Sequence, residues 1–141
     1  MAIRVPSREA LGAFIKRVLA DYPGHVGGFA DHLVGESVYF RSPDGIGFHV
    51  YADRPPGEWI REGGAGGHGH TAAGSRRLNE DAAPSPLPPG AEMGRIHMRA
   101  RVDLDAAVAF YRKLGMAVTW KMSEAVSLAW GGYHHHVAFN Q

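Results

Sequence analysis

The sequence predicts an α+β fold built from two similar β-α-β-β-β halves. Three observations carry this. Each half opens with a short alternating segment followed by a helical stripe of apolar residues. Each then continues into further alternating, strand-like segments. Between the halves lies a stretch rich in Gly, Pro, Ala and Ser with neither period, including Gly63-Gly64-Ala65-Gly66-Gly67. At 141 residues the chain is long enough to bury a real core.

In chain order, Ala2-Ile3-Arg4-Val5 alternates like a short strand. Ser7 is placed to cap a helix over residues 8–20, whose stripe is Leu11, Phe14, Ile15 and Val18. Residues 37–41 and 47–51 then flank a Pro43-Asp44-Gly45 turn and read as a hairpin. In the second half Arg95 to Ala100 reads as a strand. A helix capped by Asp103 or Asp105 follows, carries Leu104, Ala107, Val108, Phe110 and Tyr111, and stops near Gly115. Segments 116–120 and 125–130 are the next strands. The predicted organisation is a first module over 1–54, a linker over 55–92 and a second module over 93–141.

Composition excludes more than it assigns. The formal net charge of +1, with basic residues scattered, gives no basis for binding nucleic acid or a membrane surface. No cysteine is present, which removes disulfides and thiolate chemistry and fits a reducing, cytoplasmic setting. No apolar run reaches the roughly 20 residues of a membrane span, and no signal peptide is evident. Nine histidines are the outlier. Two of them, His68 and His70, lie in the linker and read as solvated.

Three more form the run His134-His135-His136, behind Gly131-Gly132-Tyr133 and ahead of Val137-Ala138-Phe139. Read as a strand, the run puts His134 and His136 on one face and His135 on the other. Whichever face points inward, an imidazole enters the sheet interior, where it needs a proton partner or a metal.

The segment from Asp31-His32-Leu33-Val34-Gly35-Glu36 through Pro43-Asp44-Gly45 to His49-Val50-Tyr51-Ala52-Asp53-Arg54-Pro55 resembles part of the vicinal oxygen chelate superfamily. The likeness is to the two-domain catechol 2,3-dioxygenase-like proteins of its glyoxalase/bleomycin-resistance group. Gly94-Arg95-Ile96-His97-Met98, the Asp103 to Tyr111 segment and the Gly-Gly-Tyr-His-His-His run resemble the second domain of those proteins. The resemblance spans about two thirds of the chain. It implies a concave, U-shaped mixed sheet with helices on its outer face. In this register, the second module of one domain is joined to the first module of the next, and they pair within a chain or across a homodimer.

The resemblance also implies chemistry. Its extradiol members hold Fe(II) or Mn(II) with two histidines and a carboxylate, and the metal chelates adjacent oxygens of a small aromatic diol. Zinc or nickel suits related sites. In this chain His49 stands where the pattern has a glutamate, and Arg95 stands where a ligand follows Gly94. His97 lies two residues further along the same strand face and takes over that role. No histidine stands early in the first half. Tyr39 and His32 match an active-site tyrosine and histidine. His135 matches the acid-base histidine through Ala138-Phe139, whereas alignment of the two halves points to His136; strand alternation favours His135.

A single histidine on an apolar strand is ordinarily a satisfied core residue. His49 and His97 at equivalent inward positions, with His135 on a third strand, favour a shared site. The expected metal ligands are thus His49, His97 and His135, with His135, Tyr39 and His32 as catalytic groups. The expected function is extradiol ring cleavage. The alternative is a non-catalytic module of the same fold that binds a small aromatic or antibiotic-like molecule.

Overall fold

The computed structural model describes residues 1–59 and 83–141. His68 and His70 lie outside the described residues. The strands are β1 (Ala2–Arg4), β2 (Val26–Asp31), β3 (Gly35–Arg41), β4 (Gly47–Asp53), β5 (Glu92–Arg99), β6 (Ala117–Lys121), β7 (Ala125–Ala129) and β8 (Val137–Asn140). The helices are α1 (Arg8–Asp21), after β1, and α2 (Leu104–Lys113), after β5. The order is β-α-β-β-β twice.

All eight strands form one open, mixed sheet in the order β2-β3-β4-β1-β5-β8-β7-β6. Each half contributes one parallel pair, β1 with β4 and β5 with β8, continued outward by antiparallel neighbours. The halves join at the centre, where β1 runs antiparallel to β5 within the same chain. Three residues suffice for β1 because it is paired on both edges and Ala2 is fully buried.

Strand alternation sorts the two faces. Val38, Phe40, Val50 and Ala52 point to the side where α1 brings Leu11 and Ile15. Val126, Leu128 and Phe139 point to the side where α2 brings Leu104 and Val108. The intervening residues, among them Tyr39, His49, Arg95, His97, Ser127 and Ala138, line the other face. Both helices are capped as their sequences predict. Ser7 Oγ accepts from the Ala10 amide, and Asp103, not Asp105, accepts from the Asp105 and Ala106 amides.

Two features depart from the sequence reading. Strand β2 carries Gly27 and Gly28, the latter at φ 143°, and its register with β3 shifts there, so its alternation is too weak to read in advance. The histidine run is not in a strand: β8 begins only at Val137. Gly131 and Gly132 both take left-handed conformations, φ 62° and 76°, and the chain turns through His134 to His136 before it enters the sheet. Alternation therefore does not apply to the run. His134 and His135 are both buried, and the half-buried His136 packs against Trp130 and Tyr133.

Candidate functional site

The polar face of the sheet encloses a cavity of about 580 Å³. His32, Tyr39, His49, Arg95, His97 and His135 line it, with Trp120 on one wall and Glu124 near the exposed rim. All five residues expected from the sequence to form the site meet here. His136 does not line it.

Each is placed by its element. His49 on β4 lies opposite Tyr39 on β3, and their rings are 5.0 Å apart. His32 sits in the turn after β2. The Asp31 carboxylate fixes that turn by accepting from the Leu33 amide and from both Arg54 terminal nitrogens, at 2.7 and 2.8 Å. His32 Nε2 then lies 3.0 Å from both the Tyr39 hydroxyl and Ser37 Oγ. On β5, Arg95 and His97 are two residues apart and so share the inward face. The His97 ring is 5.4 Å from that of His49 and 5.5 Å from that of His135.

The imidazoles are held neutral. Burial, then the Arg95 cation and His97, push His49 down to about 2. Desolvation within the cavity and the Arg95 cation push His97 down to about 4, although the residue as a whole is exposed. Neutral rings keep a lone pair available as a ligand or base.

The sequence leaves Arg95 open as a residue that binds an anionic substrate or as a surface strand charge marking a lost metal site; it is 3% exposed, so it is not a surface charge. Its guanidinium lies 3.7 Å from the centre of the Tyr51 ring, and Nη1 donates to His135 Nε2 at 2.9 Å. That bond orders a chain of protons. With Nε2 accepting, His135 carries its proton on Nδ1, which donates to His134 Nδ1 at 2.9 Å. His134 then donates from Nε2 to Asp53 Oδ1 at 2.8 Å. Tyr133 donates to the other oxygen of Asp53 at 2.7 Å and lies 3.1 Å from the Tyr51 hydroxyl. Burial pushes the Asp53 carboxyl up, but the bonds from His134 and Tyr133 prevail and hold it below its ordinary value.

Asp53, Tyr51, Tyr133 and His134 were thus missed as supports of the site. For two of them a signal existed: residues 49, 51 and 53 share one face of β4.

The donor chemistry of the cavity can be set against a divalent ion. His97 Nε2 and His135 Nε2 are 3.4 Å apart. Two imidazole nitrogens bound about 2.1 Å from one ion stand roughly 3.0–3.4 Å apart. His49 Nε2 is buried without a hydrogen-bond partner. Three neutral imidazoles therefore fit such an ion as donors. Their present arrangement is not a finished cage. No group of three His, Asp or Glu among the described residues stands ready to hold a metal, and Arg95 occupies the His135 lone pair. A metal on all three requires the guanidinium to swing away.

A mixed open sheet of two β-α-β-β-β units with its histidines on the unhelixed face defines a class, and comparison with known proteins agrees. Catechol-2,3-dioxygenase of Bacillus subtilis (strain 168) is 36% identical over 146 aligned positions, which cover 99% of this chain and 50% of that protein. The chain belongs to the vicinal oxygen chelate superfamily. It spans about half the length of the curated relative it matches. No protein-family model matches it. Among solved structures, the Mn(II)-bound glyoxalase from Novosphingobium aromaticivorans covers 99% of this chain and 40% of its own. At 21% identity and a TM-score of 0.31, that likeness is too loose to bear on site or reaction. No helix among the described residues is long and apolar enough to cross a membrane.

Proposed function

We propose that the cavity is the site of a divalent-metal-dependent, extradiol dioxygenase-like reaction on a small aromatic diol. One observation carries the reading: His49, His97 and His135, from three different segments of the chain, converge on one cavity with Tyr39 and His32 beside them. The name of the Bacillus subtilis relative supports it.

In this reading His49, His97 and His135 hold Fe(II) or Mn(II), or zinc or nickel in their place. The bound ion would chelate two adjacent substrate oxygens and lower the cost of ionising them. The chain's own groups do the rest. Trp120 and the Tyr39 ring offer apolar faces to an aromatic ring. The Tyr39 hydroxyl and His32 Nε2, 3.0 Å apart, form a pair that can take a proton from a substrate hydroxyl and return it. The His135 Nε2 lone pair, once Arg95 releases it, takes either the metal or a proton and not both, so with the metal bound the proton transfers fall to Tyr39 and His32.

The Arg95 contact favours a second reading, in which the cavity binds a small aromatic molecule without metal or redox chemistry.

Metal analysis separates the two. Protein stripped with chelator is incubated anaerobically with Fe(II) or Mn(II), desalted and analysed alongside His49→Ala and His97→Ala. The dioxygenase reading expects near-stoichiometric metal in the parent, loss from both variants, and oxygen uptake with catechol by the loaded parent. A parent that retains no metal under excess, or variants that retain it fully, overturns that reading.

A further inference from the structure

Arg95 is a cation almost wholly removed from water, and no carboxylate among the described residues lies within ion-pair distance of it. Its Nε is buried without a hydrogen-bond partner. Such a group is costly to keep in a fold, because desolvation of a charge is offset only by a well-placed counter-charge or a full set of hydrogen bonds. The partners it has are a neutral imidazole and an aromatic face. The Asp53 carboxylate is two imidazoles away along the His135–His134 chain, and both of its oxygens already accept bonds. Glu124 lines the same cavity but is exposed at the rim.

We propose that Arg95 is the anchor for an anionic group of the ligand, and that the natural ligand is a small aromatic carboxylate. The proposal deepens the reading of this cavity as the ligand site, but it does not depend on a metal. Three features select the ligand. Guanidinium is a planar fork that matches a carboxylate in geometry as well as charge. The charge to be met is one buried guanidinium with no carboxylate partner among the described residues, which favours a monoanion over a phosphate dianion. The cavity, about 580 Å³ and walled by Tyr39, Trp120, His49 and His97, has room and flat faces for one substituted ring.

The supports of Arg95 suit an anchor. Tyr51 is fully buried beneath the guanidinium, and a side chain at position 94 would put Cβ 1.9 Å from the Tyr51 hydroxyl. Glycine before Arg95 therefore lets the tyrosine sit under the cation. The Asp53–His134–His135 chain presents a lone pair that holds Nη1 in place without neutralising it. These residues position the guanidinium and leave its charge for a ligand.

The test is binding by chelator-treated protein, followed by Trp fluorescence and calorimetry, with benzoate, its neutral counterpart benzamide, and catechol as probes. The parent should bind benzoate roughly ten- to a hundredfold tighter than benzamide, the value of one charge-assisted pair. Arg95→Met should abolish that preference while benzamide binding survives, and Arg95→Lys should restore part of it. Because Arg95→Met removes an unpaired buried charge, its unfolding midpoint should equal or exceed that of the parent. Equal affinity for benzoate and benzamide in the parent overturns the proposal, as does a benzoate preference that persists in Arg95→Met. Benzoate binding that appears only after metal loading, and is unchanged in Arg95→Met, also overturns it while leaving the metal-dependent reading intact. Metal-free benzoate selectivity in a protein that takes up no metal supports the anchor and removes the dioxygenase reading.

Discussion

At the scale of single residues, burial decides what the polar groups of the cavity can do. His49 is 5% exposed and held neutral in the folded chain, with its pKa pushed down from 6.5 to about 2. Below pH 6.5 the unfolded chain binds a proton at this position and the folded chain does not, so acid favours unfolding. The stability of metal-free protein should therefore be flat above pH 7 and fall by about 1.4 kcal/mol per pH unit from His49 below pH 6. His97 adds less, because the residue is exposed and solvent screens it. Urea melts at pH 7.5, 6 and 5 would check this, with His49→Leu expected to flatten the slope. A second residue, Gly94, is fixed by contact and not by backbone strain. Gly94→Ala should cost about 1–3 kcal/mol through overpacking against Tyr51, read as a lower urea midpoint.

At the scale of elements, local signals and packing divide the work. The caps of both helices are written in the sequence, and Asp103→Ala should cost about 1 kcal/mol, measurable by thermal melting. The apolar stripes of α1 and α2 were equally readable, because Leu11, Ile15, Leu104 and Val108 recur at helical spacing and all reach the core. The approach to β8 was not. His134-His135-His136 has strand-like flanks, yet two successive left-handed glycines make it a turn, and both His134 and His135 end up buried. Alternation would have sent His134 away from His135; instead they share a hydrogen bond of 2.9 Å. Whether a Gly-Gly pair starts a hairpin or a longer turn depends on where the next strand finds its partner, and that partner is β5, far away in sequence.

At the scale of the molecule, the two halves each keep their own apolar cluster, and what joins them is a central strand pair and a polar network. Asp53 of the first half accepts from Tyr133 and His134 of the second, at 2.7 and 2.8 Å. Asp53→Ala leaves the buried His134 Nε2–H without an acceptor, while the Tyr133 hydroxyl keeps that of Tyr51, and should destabilise by about 1–3 kcal/mol. His134 then loses the acceptor at Nε2, whereas Arg95 still donates to His135 Nε2 and holds the His135 proton on Nδ1. Imidazole nitrogen NMR of the variant should show an altered His134 Nε2 signal with the His135 tautomer retained. A changed tautomer at His135 would mean that Asp53, and not Arg95, orders the chain.

The sequence by itself determined the repeated β-α-β-β-β order, the helix faces and caps, and the residues of β3, β4 and β5 that turn away from the helices. These are local periodicities and turn chemistry, encoded within ten or fifteen residues. It also brought His32, Tyr39, His49, His97 and His135 forward as candidates for one site. Only the tertiary structure decided what surrounds them. That β1 and β5 meet in one chain, that Arg95 lies beneath the cavity and not on the surface, and that Asp53 accepts from His134 across the two halves all depend on pairings between distant segments. No local pattern carries that information, because the same arginine on the same strand is a solvated charge or a buried anchor according to which face its partners cover.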